Sequence, residues 1–183
     1  MGTTDHEARD DGARGIERWK EESKAIERVI EVVLSLGEPQ TAGWIADEAH
    51  VSEQTTREHL GLLVDLGITT STSARSVTKY QPDAAYLRYR AVSAAIERHS
   101  KDEILDSVEQ LKEKVEGIAE DYGVESPDEL RALAAHEDVS SDEVKEYRIA
   151  ASEWESVRRQ LDVDEEALER YDEFTRDRQA SHA

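Results

Sequence analysis

Apolar residues recur at helical spacing over most of the chain, and short polar breaks divide them into segments. The first segment is predicted to begin at Ile16 or Arg18 and to end where Gly37 and Pro39 interrupt the pattern. Its apolar positions share one face of a helix: Trp19, Ile26, Val29, Ile30, Val33 and Leu36.

Two shorter helices follow with almost no chain between them. The pattern predicts one helix over residues 41–49 and another that is capped by Ser52 and closes on Gly67. Their facing positions are apolar, and Ala46 and Ala49 are small enough for the two helices to approach closely. This arrangement predicts a helix-turn-helix unit, in which the outer face of the second helix contacts base edges.

A different pattern begins at residue 68. Residues 68–72 and 77–81 are rich in Thr, Val and Tyr, and the polar connection Ala74-Arg75-Ser76 separates them. Pro82 stops the second run. We predict a β-hairpin, which after a helix-turn-helix unit would be the wing of a winged-helix domain.

The rest of the chain is predicted to be helical. A helix over residues 84–99 is followed by three serines that each precede a glutamate by three positions, a capping-box pattern: Ser100, Ser126 and Ser140. Residues 144–161 mark another long helix and residues 168–174 a last short one.

The helix after Ser100 carries an apolar seam with alternating spacings of four and three. The seam spans just under three heptads, which leaves coiled-coil pairing open, and we expect it to form the dimer contact. The predicted dimerisation residues are Ile104, Val108, Leu111, Val115 and Ile118.

The predicted fold class is therefore mainly α, with a winged helix-turn-helix domain, a small β-hairpin wing and a C-terminal helical dimerisation region. The predicted segments are a disordered acidic tail (1–15), the winged domain (16–86), dimerisation helices (87–122), a C-terminal helical region (123–178) and a tail (179–183).

Charge changes this picture in one place. The chain has 43 Asp and Glu against 23 Lys and Arg, for a net charge of −20. Residues 66–96 contain a single acid, Asp83, and four bases: Arg75, Lys79, Arg88 and Arg90. A surface cleared of carboxylates at the predicted hairpin favours the approach of a polyanion. Arg88 and Arg90 could extend that surface, although pairing with neighbouring carboxylates is the favoured interpretation.

Elsewhere the acids are dispersed, and the bases are sixteen Arg and only seven Lys. That composition is typical of a protein from a salt-saturated cytoplasm, where salt screens self-repulsion. An acidic mimic of nucleic acid is the competing interpretation.

Several functions are not expected. The chain has no cysteine, its six histidines show no metal-ligand spacing, and no glycine-rich phosphate loop is present. No secretory signal or long apolar stretch is found, which predicts a cytoplasmic protein without membrane contact. We therefore expect no enzyme activity, no metal and no cofactor.

Double-stranded DNA is the predicted partner. On the second helix of the unit, Gln54 could read adenine and Arg57 could bind guanine or a phosphate. Either Glu53 or Glu58 could accept a hydrogen bond from cytosine. Hydroxyl and cationic groups at the helix start and on the hairpin suit phosphates. The predicted DNA-binding residues are Ser52, Gln54, Thr55, Arg57, Glu58, Thr72, Arg75, Thr78 and Lys79.

Residues of the helix-turn-helix unit and the start of the hairpin carry a family resemblance: Ile45-Ala46, Val51-Ser52, Thr55-Thr56, His59-Leu60, Leu63 and Leu66-Gly67-Ile68. Over roughly residues 19–89 the chain resembles the ArsR/MarR-type winged helix-turn-helix regulators, above all haloarchaeal members with extra C-terminal helices. The resemblance implies a homodimeric transcription regulator with its recognition helix in the major groove and its wing on the DNA backbone. It implies no particular small-molecule effector.

The chain departs from the family pattern at three points. His50 stands where such turns often carry Gly, so its backbone must accept a left-handed conformation. Thr56 replaces the usual buried aliphatic residue. Residues 41–60 contain four acids against Arg57 alone, so counterion release would contribute little to binding. A winged-helix adaptor that binds protein and not DNA stays open as the alternative.

Overall fold

The computed structural model describes residues 23–136 and 139–181, and most of these residues are helical. The predicted tail over residues 1–15, the helix start at Ile16 or Arg18, Trp19, and the last two residues of the predicted C-terminal tail lie outside the described residues. The prediction of a mainly α protein with a small β component is confirmed. The elements are α1 (Ala25–Leu34), β1 (Gln40–Thr41), α2 (Ala42–Ala49), α3 (Glu53–Asp65), β2 (Thr69–Ala74), β3 (Val77–Pro82), α4 (Ala84–Arg98), α5 (Lys101–Tyr122), α6 (Pro127–Leu133) and α7 (Ser141–Ser181).

Contacts divide the chain into two compact units, with the boundary between Leu87 and Arg88. In the first unit, one apolar face of each of α1, α2 and α3 meets the others, as their helical periodicity predicts. The residues buried in this core are Val29, Val33, Ala42, Ile45, Ala49, Leu60 and Leu63.

The sheet of the first unit has three antiparallel strands in the order β1-β3-β2. The hairpin is confirmed, but its strands are longer than predicted, and Ala74 pairs with Val77, so only Arg75 and Ser76 form the turn. Strand β1 was not predicted. It contributes Gln40 and Thr41, which pair with Tyr80 and Lys79.

The second unit is built mainly from the packing of α5 and α6 against α7. Residues 144–161 and 168–174 belong to one continuous helix, so the prediction of two helices there was wrong. No Gly or Pro lies between Leu161 and Leu168 to end the helix. Val163 and Ala167 pack in the apolar core of the unit and continue the buried face.

The predicted dimer seam has a partner within the chain. Ile104 and Val108 are 2% and 5% exposed, and Ile104 packs with Ala167 of α7. Val115 and Ile118 pack against a second cluster that includes Trp154, while Leu111 is half-buried. Because α7 folds back on α5, this seam is at least half-buried within one chain, and the dimer contact predicted for it stays a prediction.

The capping serines act as predicted in two of the three places. At Ser100 and Ser140, the serine hydroxyl accepts the backbone N–H of the glutamate, whose carboxylate accepts the serine N–H. Ser126 also caps its helix, but the Glu129 carboxylate accepts the N–H of Glu125. Over the described ranges, no helix is both long enough and apolar enough to cross a bilayer.

Candidate nucleic-acid interface

The turn between α2 and α3 fixes the geometry of the candidate interface. His50 has φ 52° and ψ 46°, which confirms the left-handed conformation predicted for it. The following N–H, from Val51, donates to the Ala46 carbonyl at 3.0 Å. This hydrogen bond gives a carbonyl at the end of α2 a partner, and only three residues separate α2 from α3.

Ser52 and Thr55 lie at the start of α3. The Ser52 hydroxyl accepts the Thr55 N–H at 3.2 Å, and the two hydroxyl oxygens are 2.8 Å apart. Ser52 is exposed and Thr55 is half-buried. The cap therefore places two hydroxyls beside the positive end of the helix dipole, a favourable position for a phosphate.

The three predicted base-reading side chains of α3 are already partnered along the helix. Arg57 Nη2 donates to Glu53 Oε1 at 2.5 Å, and Gln54 Nε2 donates to Glu58 Oε1 at 3.4 Å. The Glu53 hydrogen bond and charge raise the pKa of Arg57. The side chains of Arg57 and Glu53 are 62% and 53% exposed, so solvent screens this ion pair and it can be exchanged.

The structure divides the four predicted hairpin contacts between two faces and a tip. Thr72 lies directly opposite Lys79, and the side chains of such a pair share one face of the sheet. Thr78 lies on the other face, where its hydroxyl is 2.9 Å from that of Ser73. Arg75 occupies the turn itself. These four residues therefore lie on one hairpin, but their side chains do not share one face of it.

The exposed part of the hairpin keeps its positive charge available. Residues 69–82 contain no acid, and residues 71–77 are all exposed. Within the described part of the chain, neither Arg75 nor Lys79 forms an ion pair. The outer part of the hairpin, which belongs to the acid-poor stretch 66–96, is therefore at the surface, while Thr69, Val92 and Ile96 of that stretch are buried.

The two arginines that follow the hairpin differ from each other. Arg88 donates to the Glu166 carboxylate and, at 3.0 Å, to the Asp162 carbonyl, which confirms the pairing favoured for it. Arg90 is exposed and has no ion pair among the described residues.

Arg28 was missed by sequence reasoning, although it supports the turn. It is 8% exposed, and its Nε donates to the Ala49 carbonyl at 2.9 Å. No residue spacing could have identified this contact, because a backbone carbonyl carries no sequence signal. The described residues also contain no group of three or more potential metal ligands from His, Asp and Glu.

Residues 23–173 match a family of unknown function, DUF7342, and the chain belongs to that family. A comparison with curated proteins finds no match.

Proposed function

We propose that this member of DUF7342 is a double-stranded-DNA-binding transcription regulator. In this proposal α1 to β3 form a winged helix-turn-helix domain similar to those of ArsR/MarR-type regulators, with α3 as recognition helix and the hairpin as wing. A homodimer would place two recognition helices and two wings on a pseudo-palindromic operator.

One observation carries the proposal: the longest acid-free segment of a −20 protein, residues 66–82, contains a hairpin whose tip and outer residues are exposed. Arg75 at its tip and Lys79 on one face are unpaired among the residues described. Cations without partners gain more from a phosphate than cations that must first leave a carboxylate. The hairpin is therefore the part of this surface that is best suited to a DNA backbone.

The recognition helix would bind by exchanging partners. Arg57 would leave Glu53 and bind guanine or a phosphate. Gln54 would leave Glu58 and bind adenine. Because these bonds are exposed, they cost little to break, and Glu58 becomes free to accept from cytosine.

The surrounding acidity is compatible with DNA binding at high salt. Counterion release contributes less to affinity as the salt concentration rises, so hydrogen bonds and shape carry a larger share of the free energy. Molar salt also screens the repulsion between DNA and the exposed acids of α2 and α3. We therefore expect a salt-adapted protein.

Binding to labelled DNA in a KCl series tests the role of the hairpin. Arg75→Ala/Lys79→Ala should weaken binding to every sequence and reduce the log–log salt slope by about 2, since each phosphate contact contributes about 0.9. Arg158→Ala/Arg159→Ala is the matched control, because it removes the same charge from exposed positions of α7. Equal effects of the two double variants would contradict the assignment.

Genome-wide occupancy supplies the operator and allows a test of base reading. On that operator, Gln54→Ala should change the preferred base at one position, at a cost of about 1–3 kcal/mol in discrimination. An unchanged base preference would show that Gln54 does not recognise a base. Light scattering in molar KCl tests the homodimer, and a monomer on a palindromic site would contradict it.

An adaptor function has one observation in its favour. Leu62 lies in the last turn of α3, Leu66 caps its C-terminal end, and the two are 47% and 62% exposed. An apolar pair at the surface suits a protein partner. Two results together would favour the adaptor function over the regulator: the parent chain occupies no genomic site, and Leu62→Gln/Leu66→Gln abolishes an interaction with a cellular protein.

A further inference from the structure

The second unit contains a cavity of about 490 Å³. Its walls come from α4, α5 and α7, all within residues 88–183. One side is formed by small residues of α4, including Ala91 and Ala94, and apolar atoms are also supplied by Ile104 and Val163. The volume is in the range of small-molecule sites.

The α7 part of the lining contains a buried carboxylate. Asp164 is 5% exposed, and it accepts one hydrogen bond on each oxygen: from the Ser107 hydroxyl and from Gln160 Nε2, both at 2.7 Å. An ionised carboxylate has about four acceptor positions, so two neutral donors do not use its full capacity.

Among the described residues, no Lys or Arg forms an ion pair with Asp164, although Arg98 lines the same cavity. A buried charge that is held only by neutral groups has a high desolvation cost, and a cation beside it would offset that cost.

The other charged lining residues do not perform this role. Arg98 and Glu103 are exposed and have opposite charges, and His99, which also lines the cavity, is exposed as well. The Glu103 carboxylate also accepts the Ser100 N–H and hydroxyl at the start of α5. Asp164 is therefore the single buried charge among the residues that line this cavity.

We propose that the cavity binds a small organic ammonium ion. The ammonium group would donate to Asp164, and the apolar body would lie against Ile104, Val163 and the α4 alanines. A charged group with a short apolar body matches a cavity in which Asp164 is buried, the other charged side chains are exposed, and Ile104, Val163 and the α4 alanines supply apolar contact. This site would be an effector site, and its existence does not depend on DNA binding.

Calorimetry with three probes of one shape tests the proposal on the full chain at constant KCl. Phenethylammonium, 2-phenylethanol and phenylacetate share the same aromatic body and differ in the charge of the end group. Phenethylammonium should bind at least about tenfold more tightly than the alcohol, and phenylacetate should not bind. Three equal dissociation constants, or no binding of phenethylammonium at millimolar concentration, would overturn the proposal.

Two variants locate the site. Asp164→Asn should abolish the preference for the ammonium over the alcohol. Ala94→Leu should remove binding of all probes by filling the cavity while it leaves the carboxylate in place. If either variant is folded by circular dichroism and binds phenethylammonium as the parent does, the assignment is wrong.

Amide chemical shifts of the parent chain provide a test that needs no variant. Phenethylammonium should shift the amides around residues 91–95 and 160–164. Shifts confined to other parts of the chain would contradict the proposed location.

Discussion

The guanidinium of Arg28 is bonded to the carbonyl of Ala49, with 2.9 Å between Nε and the carbonyl oxygen. The contact joins α1 to the last residue of α2, directly before the left-handed His50. A second bond, from Arg28 Nη1 to the Ser23 carbonyl at 2.6 Å, ties the same side chain to the start of α1. A cation here also complements the negative end of the α2 dipole. Arg28 therefore supports the turn that positions α3.

Replacement of Arg28 by Met should lower the free energy of unfolding by about 1.5–3 kcal/mol, since hydrogen bonds from a charged group are lost at a buried position. Denaturant titration at constant KCl measures the change. Arg159→Met is the control, because Arg159 is exposed and should have almost no effect. Equal stability of the two variants would show that the Arg28 bonds contribute nothing net.

Thr56 should be a site at which the protein can be stabilised. Its side chain is fully buried, and Oγ1 has no hydrogen-bond partner among the residues described. Thr56→Val keeps the shape and removes the unpaired hydroxyl, so we expect about 1 kcal/mol of added stability. Thr56→Ser keeps the hydroxyl and loses the methyl group, and should destabilise. The same denaturant titration would refute the argument if both variants behaved alike.

Much of the fold could be predicted because burial leaves a periodic record. The core faces of α1, α2 and α3 and the capping serines of α5 and α7 follow from spacing alone. The left-handed backbone at His50 could also be predicted, because the turn demands it of any residue at that position.

Other features of the structure leave no periodic pattern in the sequence, so they could not be predicted. Strand β1 has two residues, too few for an alternating pattern. The heptad spacing of α5 required an apolar partner, but it could not specify that α7 of the same chain fills that role. In the candidate site, the Glu53–Arg57 pair was concealed because acids are so common in this chain that no single pair is informative.

The hairpin turn is strained by its own residue types. Arg75 and Ser76 have φ of 48° and 69°, as in the two-residue turns that normally contain Asn and Gly. Ser76→Gly should stabilise the hairpin by about 0.5–1 kcal/mol, because glycine accepts positive φ without a steric cost. Hydrogen exchange at hairpin amides should slow accordingly. Ser73→Gly, which removes the bond to Thr78, should have the opposite effect, and exchange that is faster in both variants would count against the strain.

The pair between Arg88 and Glu166 should make stability depend on acid pH. Hydrogen bonding to Arg88 lowers the pKa of Glu166 below its usual 4.5. A carboxyl group with a lowered folded-state pKa stabilises the protein above the unfolded pKa, and this contribution disappears as the pH falls through the folded value. In Arg88→Ala the loss of stability below pH 4.5 should therefore be shallower than in the parent.

Paired pH titrations of unfolding, with NMR titration of the Glu166 carboxyl, measure this difference. Arg90→Ala is the control, since Arg90 is an exposed arginine of the same helix without an ion pair among the described residues. Identical pH profiles of parent and Arg88→Ala would show that Arg88 is not the cause.

Glu53 is the residue that most directly opposes the proposed DNA contact. Its carboxylate holds Arg57 and adds a negative charge at the start of α3. Glu53→Gln should strengthen binding to DNA of any sequence by a few-fold, because it frees Arg57 and removes a repulsive charge. Anisotropy titrations at two KCl concentrations measure this gain, which should shrink at the higher concentration as screening increases.

Two further variants separate the release of Arg57 from the simple loss of an acid. Glu116→Gln removes the same charge from an exposed position of α5 and should leave DNA affinity almost unchanged. In an Arg57→Ala background, Glu53→Gln should yield a smaller gain than in the parent, since no guanidinium remains to be released. The difference between the two gains is the coupling energy of the pair in the DNA complex. A coupling of zero would mean that Arg57 does not move to the DNA, and the recognition role would then rest on Gln54 and the hairpin alone.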